Sequence, residues 1–218
     1  MGRPKSGYRL ADGTRVPGVT TIIGRFKESG GLIQWAYQCG LDGINYRDVR
    51  DKAANSGTLA HDMIELYLRG QAPINAYLGL DFSTEIIAKA RNGFDAFLTW
   101  TEQTKMEVRT AEMPLISEEY RFGGTPDAVL LVNGKLSLGD WKTGNKLYPD
   151  MLIQLAAYKQ LWEENHPTDK IEGFDMMRFS KEEADFVHAH FDQLDDAWEL
   201  FKLYLKAYDL SKKLKKRV

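Results

Sequence analysis

The 218 residues contain a single cysteine, Cys39. One thiol excludes an intramolecular disulfide, a cysteine-rich zinc site and a four-cysteine iron–sulfur cluster. Long apolar runs are missing too. None reaches the roughly 18 residues that a membrane-spanning helix requires, so no membrane association is expected. Residues 1–10 lack the apolar stretch of a signal peptide, and together with the lone thiol this fits a reducing, cytoplasmic setting. Excess positive charge is absent: the net charge is −2, so the molecule as a whole is not a basic polyanion binder. The cations are instead concentrated. Lys212, Lys213, Lys215, Lys216 and Arg217 crowd the C-terminus. They read either as a solvated tail favouring a helix C-terminus or as a contribution to phosphate binding.

What is present suffices for one sizeable core. Apolar residues make up 43%, and the length makes two full domains an unnecessary reading. There are no repeats, low-complexity stretches or clear linkers. One domain over residues 1–218 is therefore expected, with a mainly helical portion at 1–105, a sheet core at 106–180, and a closing helix with a basic tail at 181–218.

Residues 8–23 carry turn signals at Asp12-Gly13 and Pro17-Gly18, then the β-branched run Val19-Thr20-Thr21-Ile22-Ile23. This reads as a short strand or extended segment. Helices are predicted at 32–41 and 48–68, a loop at 70–79, and a long amphipathic helix at 84–103 with Ile86, Ile87, Ala90, Phe94 and Phe97 on one side. The period then switches. Strands are predicted at 107–116, 120–122, 128–132 and 135–141, a helix at 151–164, a strand at 171–179 and a last helix at 192–208. That order suggests an α/β (α+β) architecture with a sheet flanked by helices.

Asn133-Gly134 lies between two apolar runs, the strongest local signal for a two-residue hairpin, because a type I′ turn needs φ > 0 at both central positions. In that register Val132 pairs with Lys135, Leu131 with Leu136 and Val129 with Leu138. Continued outward, Asp127 falls opposite Asp140. Alternation places Asp127, Val129 and Leu131 on one face with Asp140, Leu138 and Leu136, and Lys142 points the same way. Facing carboxylates repel, and a divalent cation removes that penalty. Hard oxygen ligands suit Mg²⁺ or Mn²⁺. Such a site supports phosphodiester hydrolysis, with Lys142 orienting water or stabilising charge on a pentavalent phosphate.

The strings Gly123-Gly124-Thr125-Pro126-Asp127 and Gly139-Asp140-Trp141-Lys142-Thr143 resemble the PD-(D/E)XK nuclease signature. Three more segments extend the likeness. Gly57-Thr58-Leu59-Ala60-His61-Asp62-Met63-Ile64-Glu65 resembles the G-x-x-x-H-x-x-x-E helix of RecB-like and Cas4-like nucleases. Gln154-Leu155-Ala156-Ala157-Tyr158 resembles their Q-x-x-x-Y motif, and Val16-Pro17-Gly18-Val19-Thr20-Thr21-Ile22 their V-P-S-V-T-like segment. The order is that of phage recombination and mitochondrial genome-maintenance exonucleases.

The resemblance implies a restriction-endonuclease-like mixed sheet flanked by helices. It implies His61, Asp127 and Asp140 as metal ligands with the Trp141 carbonyl assisting, and Lys142 as the catalytic lysine. Gln154 and Tyr158 would place the scissile phosphate or brace the site, and Glu65 and Glu112 are further acidic candidates. It also implies Mg²⁺ or Mn²⁺ without an iron–sulfur cluster, and DNA, single-stranded or at ends, as the partner. Recombination, repair or replication in a bacterial or phage-infected cell would be the setting, with room for a partner protein.

On local physics, His61 and Glu65 share a helix face, as do Gln154 and Tyr158. Gly57 either starts a helix near Ser56 or lets backbone approach DNA or sheet. Trp35, Tyr37, Tyr46 and Tyr148 are candidates for base stacking. The leading expectation is a metal-dependent DNA exonuclease. An endonuclease or flap nuclease on the same site is a second reading. A binding or assembly module on a nuclease fold is a third, against which Asp127, Asp140 and Lys142 argue.

Overall fold

The structure, a computed structural model, describes Pro4, residues 6–144 and residues 146–217. Strands β1 (Tyr8–Arg9) and β2 (Arg15–Val16) form a small antiparallel hairpin. Helix α1 (Val19–Gly24) follows where an extended segment was expected. The reason is tertiary: Val19, Ile22 and Ile23 are all buried, and their spacing matches a helix face as well as a β-branched run matches a strand. Core packing overrides the weak β preference.

Helices α2 (Gly30–Leu41) and α3 (Tyr46–Leu68) come next. The Asn45 side chain accepts from the Arg47 N–H and caps α3, which satisfies one of the helix's orphan donors. A single 3₁₀ turn, Pro73–Ala76, lies within the expected loop. Helix α4 (Thr84–Thr104) is capped by Ser83 and buries Ala90, Phe94, Phe97 and Trp100.

The strand expected over 107–116 is broken in two. Strand β3 is Glu107–Ala111 and β4 is Leu115–Ser117. Glu112 between them has φ of 51°, a left-handed conformation no strand contains. Strand β5 (Phe122–Gly124) starts later than expected, because Arg121 also has positive φ and its N–H bonds the Ser117 carbonyl. Strands β4 and β5 pair as a separate two-stranded sheet. Then come β6 (Ala128–Val132), β7 (Lys135–Lys142), α5 (Pro149–Asn165), β8 (Gly173–Phe179), β9 (Phe186–Phe191) and α6 (Asp195–Lys215). Strand β9, an edge strand with few buried residues, lacks the apolar alternation that would announce it, and it delays the closing helix to Asp195.

The central sheet is mixed, in the order β3-β6-β7-β8-β9. Strands β6 and β7 form the Asn133-Gly134 hairpin, with Val132↔Lys135, Leu131↔Leu136 and Val129↔Leu138 in register. Both turn residues have positive φ, 52° and 78°, as a type I′ turn demands. Helix α5 carries the chain over to β8, which runs parallel to β7. Alternation divides the core between two faces. Val129, Leu138, Phe174 and Met176 pack with α1, α5 and α6. Leu130, Trp141, Met177 and Phe179 pack with α3 and α4. The result is a mixed sheet flanked by helices on both sides, and the carboxyl end of β7 lies between the two helical layers. Among the described residues no helix is long and apolar enough to cross a membrane.

Candidate active site

The last registered pair of the hairpin is Ala128↔Gly139, so Asp127 stands one residue beyond the ladder. The expected face-to-face Asp127–Asp140 pair is not a ladder pair. The Asp127 carboxylate instead accepts the Trp141 N–H at 2.7 Å, which pins it against the end of β7. Its own carbonyl accepts the Glu112 N–H at 3.0 Å, so the left-handed residue that ends β3 is tied to the same point.

Asp140 is fully buried on β7. Lys142 Nζ lies 2.5 Å from its Oδ2. That oxygen has no well-directed hydrogen bond among the described residues, so the contact is an ion pair at poor angle. Gln154 Nε2, one helix face across on α5, reaches Asp140 Oδ1 at 3.4 Å and the Tyr158 hydroxyl at 2.9 Å. Tyr158 is itself buried and packs against the site strand. A side chain at Gly124 would put its Cβ 2.6 Å from the Tyr158 ring, so glycine there is what lets the ring lie against β5. Tyr158 thus touches Gln154 and core rather than open space.

His61 comes from the opposite layer, on α3. Its Nδ1 is 3.9 Å from Asp127 Oδ2, and it hydrogen-bonds the Trp141 main chain. Helix α3 passes unbroken through Gly57, so the helix-start reading of that residue is wrong. A Cβ at Gly57 would stand 2.7 Å from Thr143 Oγ1. Glycine therefore allows α3 to close on the chain just after Lys142. Beside this contact an open cavity of about 400 Å³ runs along Ala53, Ala54, Gly57 and Thr58 to His61. One turn beyond His61, Glu65 accepts Arg69 at 2.6 Å. Sequence reading missed Arg69, since a helical i,i+4 pair is commonplace.

The electrostatics follow from burial. Desolvation pushes Asp140 up to about 6, against the pull of Lys142 and with the help of Asp127. Asp127 is also raised by burial, although Lys142 and the Trp141 N–H oppose it. Burial and then the repulsion of Asp127 and Glu65 lift Glu112 to about 8. Burial and the Lys142 ammonium depress His61 to about 4. Burial alone would lower Lys142, but Asp140 and Asp127 outweigh it and leave the ammonium favoured. The centre is thus a neutral imidazole, a cluster of carboxylates whose charge is disfavoured, and one cation.

Among the described residues no trio of His, Cys, Asp and Glu is already drawn to metal-ligand spacing. The donor set nevertheless fits a hard divalent cation. It offers carboxylate oxygens short of positive charge, an imidazole held in its ligating form, and a buried Asp140 oxygen without a directed donor. Of the residues singled out from the sequence, His61, Asp127, Asp140, Trp141, Lys142 and Gln154 are brought into one contact network, with Tyr158 behind it. Glu65 and Glu112 adjoin Asp127. Trp141 contributes only its main chain; its indole is core, packed on Phe97 and Trp100. Of the aromatics considered for stacking, Tyr37 and Tyr148 are exposed, whereas Trp35 and Tyr46 are half-buried and pack edge to face.

The profile of the PD-(D/E)XK nuclease superfamily matches residues 33–207. No curated protein is significantly similar to the chain. Among solved structures, a candidate exonuclease from Eubacterium rectale aligns with a TM-score of 0.48 at 11% identity, covering 68% of this chain and 64%, just under two thirds, of that one. The LHK-Exo exonuclease in complex with dAMP aligns with a TM-score of 0.43 at 14% identity, covering 75% of this chain and 91% of that one. The alkaline exonuclease structure from Laribacter hongkongensis gives 0.37 at 13%, covering 73% and 93%.

Proposed function

The chain belongs to the PD-(D/E)XK nuclease superfamily, and from that footing we propose that it is a divalent-metal-dependent DNA exonuclease, hydrolysing phosphodiester bonds in single-stranded DNA or at DNA ends. The observation that carries the reading is the meeting of His61, Asp127, Asp140 and Lys142, from α3, the start of β6 and the end of β7, at one buried point. His61, Asp127, Asp140 and the Trp141 carbonyl would hold Mg²⁺ or Mn²⁺. Such an ion, when bound, supplies an activated water and screens the phosphate charge.

The remaining roles belong to the chain. Lys142 is held as an ammonium, so it donates to phosphate oxygens as charge develops and does not serve as the base. Gln154 fixes the Asp140 carboxylate, and Tyr158 fixes Gln154. Glu65 and Glu112 extend the acidic wall. The small-residue cavity along α3 gives a strand room to approach His61. The choice of exonuclease rests on the His61/Glu65, Gln154/Tyr158 and Pro17–Thr20 motifs of the RecB-like layout.

The test is digestion of end-labelled linear and of circular DNA, single- and double-stranded, with Mg²⁺, Mn²⁺ or EDTA. Linear single strands should be degraded only with metal, and Lys142→Ala should lower the rate about 10²–10³-fold, the size seen on removing one electrostatic stabiliser. Full activity of Lys142→Ala would overturn the mechanism. Cutting of circular DNA would turn the reading to an endonuclease on the same centre.

A further inference from the structure

An acidic centre does not attract DNA. Asp127, Asp140, Glu65 and Glu112 repel a phosphate strand until cations compensate them, and the whole molecule carries −2. Strand affinity must therefore come from cations placed elsewhere, and most on this surface are already paired. Lys27 is paired with Asp150, Arg69 with Glu65 and Lys89 with Glu182.

We propose that the cavity between the β1–β2 hairpin and α6 is a phosphate subsite for the DNA strand, with Arg15 and Lys212 as its cations; this rests on the nuclease reading of the neighbouring centre. The cavity measures about 320 Å³ and is lined by Tyr8, Arg15, Pro17, Thr21, Tyr208 and Lys212 among others. Arg15 and Lys212 reach it from opposite ends of the sequence. Neither makes an ion pair among the described residues, and both are exposed. The Lys212 ammonium rests 5.4 Å from the centre of the Tyr208 ring, which holds it over the hollow. The Thr21 and Tyr208 hydroxyls add neutral donors. Two uncompensated cations around a hollow with hydroxyl donors select an anion with several acceptor oxygens, which a phosphodiester supplies.

The subsite is tied to the centre by hydrogen bonds. The Tyr8 hydroxyl bonds Thr125 Oγ1 at 3.0 Å, two residues before Asp127. The Gly123 N–H donates to the Pro17 carbonyl at 3.0 Å, and Gly18 bridges Gly123. The wall of the cavity and the strand that carries Asp127 therefore form one bonded unit. A phosphate held here sets the register of the strand at the centre. Beyond Lys212 the last turn of α6 continues with Lys213 and Lys215, so the basic C-terminus extends the subsite outward.

The experiment is binding of a fluorescent single-stranded oligonucleotide in EDTA, where nothing is cleaved, over a series of salt concentrations. Each neutralised contact on a single strand lowers the slope of log K against log salt by about 0.7. Arg15→Gln and Lys212→Gln should each show that fall, and the double variant about 1.4. Arg15→Lys should keep the slope, which separates lost charge from damaged folding. Lys170→Gln, a control at the hairpin-turn end of the sheet, should also keep it. An unchanged slope in the double variant overturns the subsite, as does an equal fall in Lys170→Gln or a wild type with no salt-dependent affinity. Metal-dependent cleavage by wild type is measured beside it. Its absence would defeat the nuclease reading, while the slopes would still judge the subsite.

Discussion

Two aspartates on neighbouring strands are equally buried and oppositely treated. Asp140 on β7 and Asp175 on β8 are both at 0% exposure. Asp175 pairs with Gly139 and Asp140 with Met176, so the two side chains leave opposite faces of the sheet. Burial alone would raise Asp175, but hydrogen bonds from His188, Ser137 and His190 outweigh it and hold the carboxyl below its ordinary range. His188 Nε2 lies 2.7 Å and His190 Nδ1 3.0 Å from Oδ1, and Ser137 donates to Oδ2. Asp140 has a long bond from Gln154 and an ill-directed ion pair with Lys142, and its carboxyl is pushed up to about 6. A buried carboxylate supplied with donors stays charged and staples strands together. One left short of donors is ready for a cation that the chain itself does not provide.

The sharpest way to break this comparison is to make the same substitution at both positions. Asp175→Asn removes the charge that three donors were built around and should lower stability by about 3 kcal/mol. Asp140→Asn removes a disfavoured charge, and its metal-free form at pH 8 should match or exceed wild type. Urea unfolding in EDTA measures both. Equal losses at the two sites would mean that Asp140 is as fully satisfied as Asp175. The difference should also fade near pH 4. Asp140 has a raised folded pKa, so its protonated form favours the native state, and wild type loses that advantage only as pH rises through about 6.

Metal sharpens the contrast from the other side. At a hundred times the dissociation constant, Mn²⁺ should stabilise wild type by about 2.7 kcal/mol. Asp175 lies outside the centre, so the Asp175→Asn variant should show the same gain, whereas Asp140→Asn should show almost none. Thermal unfolding with and without Mn²⁺ decides it. A full metal response in Asp140→Asn would remove that residue from the ligand set.

The smallest expected effect belongs to the staple. His190 is raised above 6.5, first by its hydrogen bond to Asp175, with Asp192 adding to it. A raised folded pKa contributes stability below the unfolded value and loses it as pH rises through the folded one. Since the His190 side chain is 45% exposed, solvent screening keeps this below about 0.5 kcal/mol. Comparing the unfolding midpoints of wild type and His190→Asn from pH 5.5 to 8.5 should show wild type losing that small advantage as pH rises. A wild-type advantage that grows with pH would reverse the assignment.

Much of the site was legible because its geometry is local. Asn133-Gly134 allows one turn type, the turn sets the register, and a side-chain period of two then carries Asp127, Asp140 and Lys142 to the same end of the hairpin. The same holds for His61 with Glu65 and Gln154 with Tyr158, since a helical spacing of four is set by backbone geometry alone. Helices α2 to α5 were visible for that reason. What the tertiary structure decided are the places where local preference is weak or distant contacts outweigh it. Val19–Gly24 is helical because its apolar face meets α5 and α6. Glu112 turns left-handed where the chain leaves the central sheet and its N–H meets the Asp127 carbonyl. Strand β9 exists because β8 offers it a partner. The approach of α3 to Thr143, the bond from Tyr8 to Thr125 and the convergence of Arg15 with Lys212 on one cavity each join residues far apart in the chain. Turn geometry and side-chain period act over a few residues, and only the packed fold brings such distant groups within bonding range.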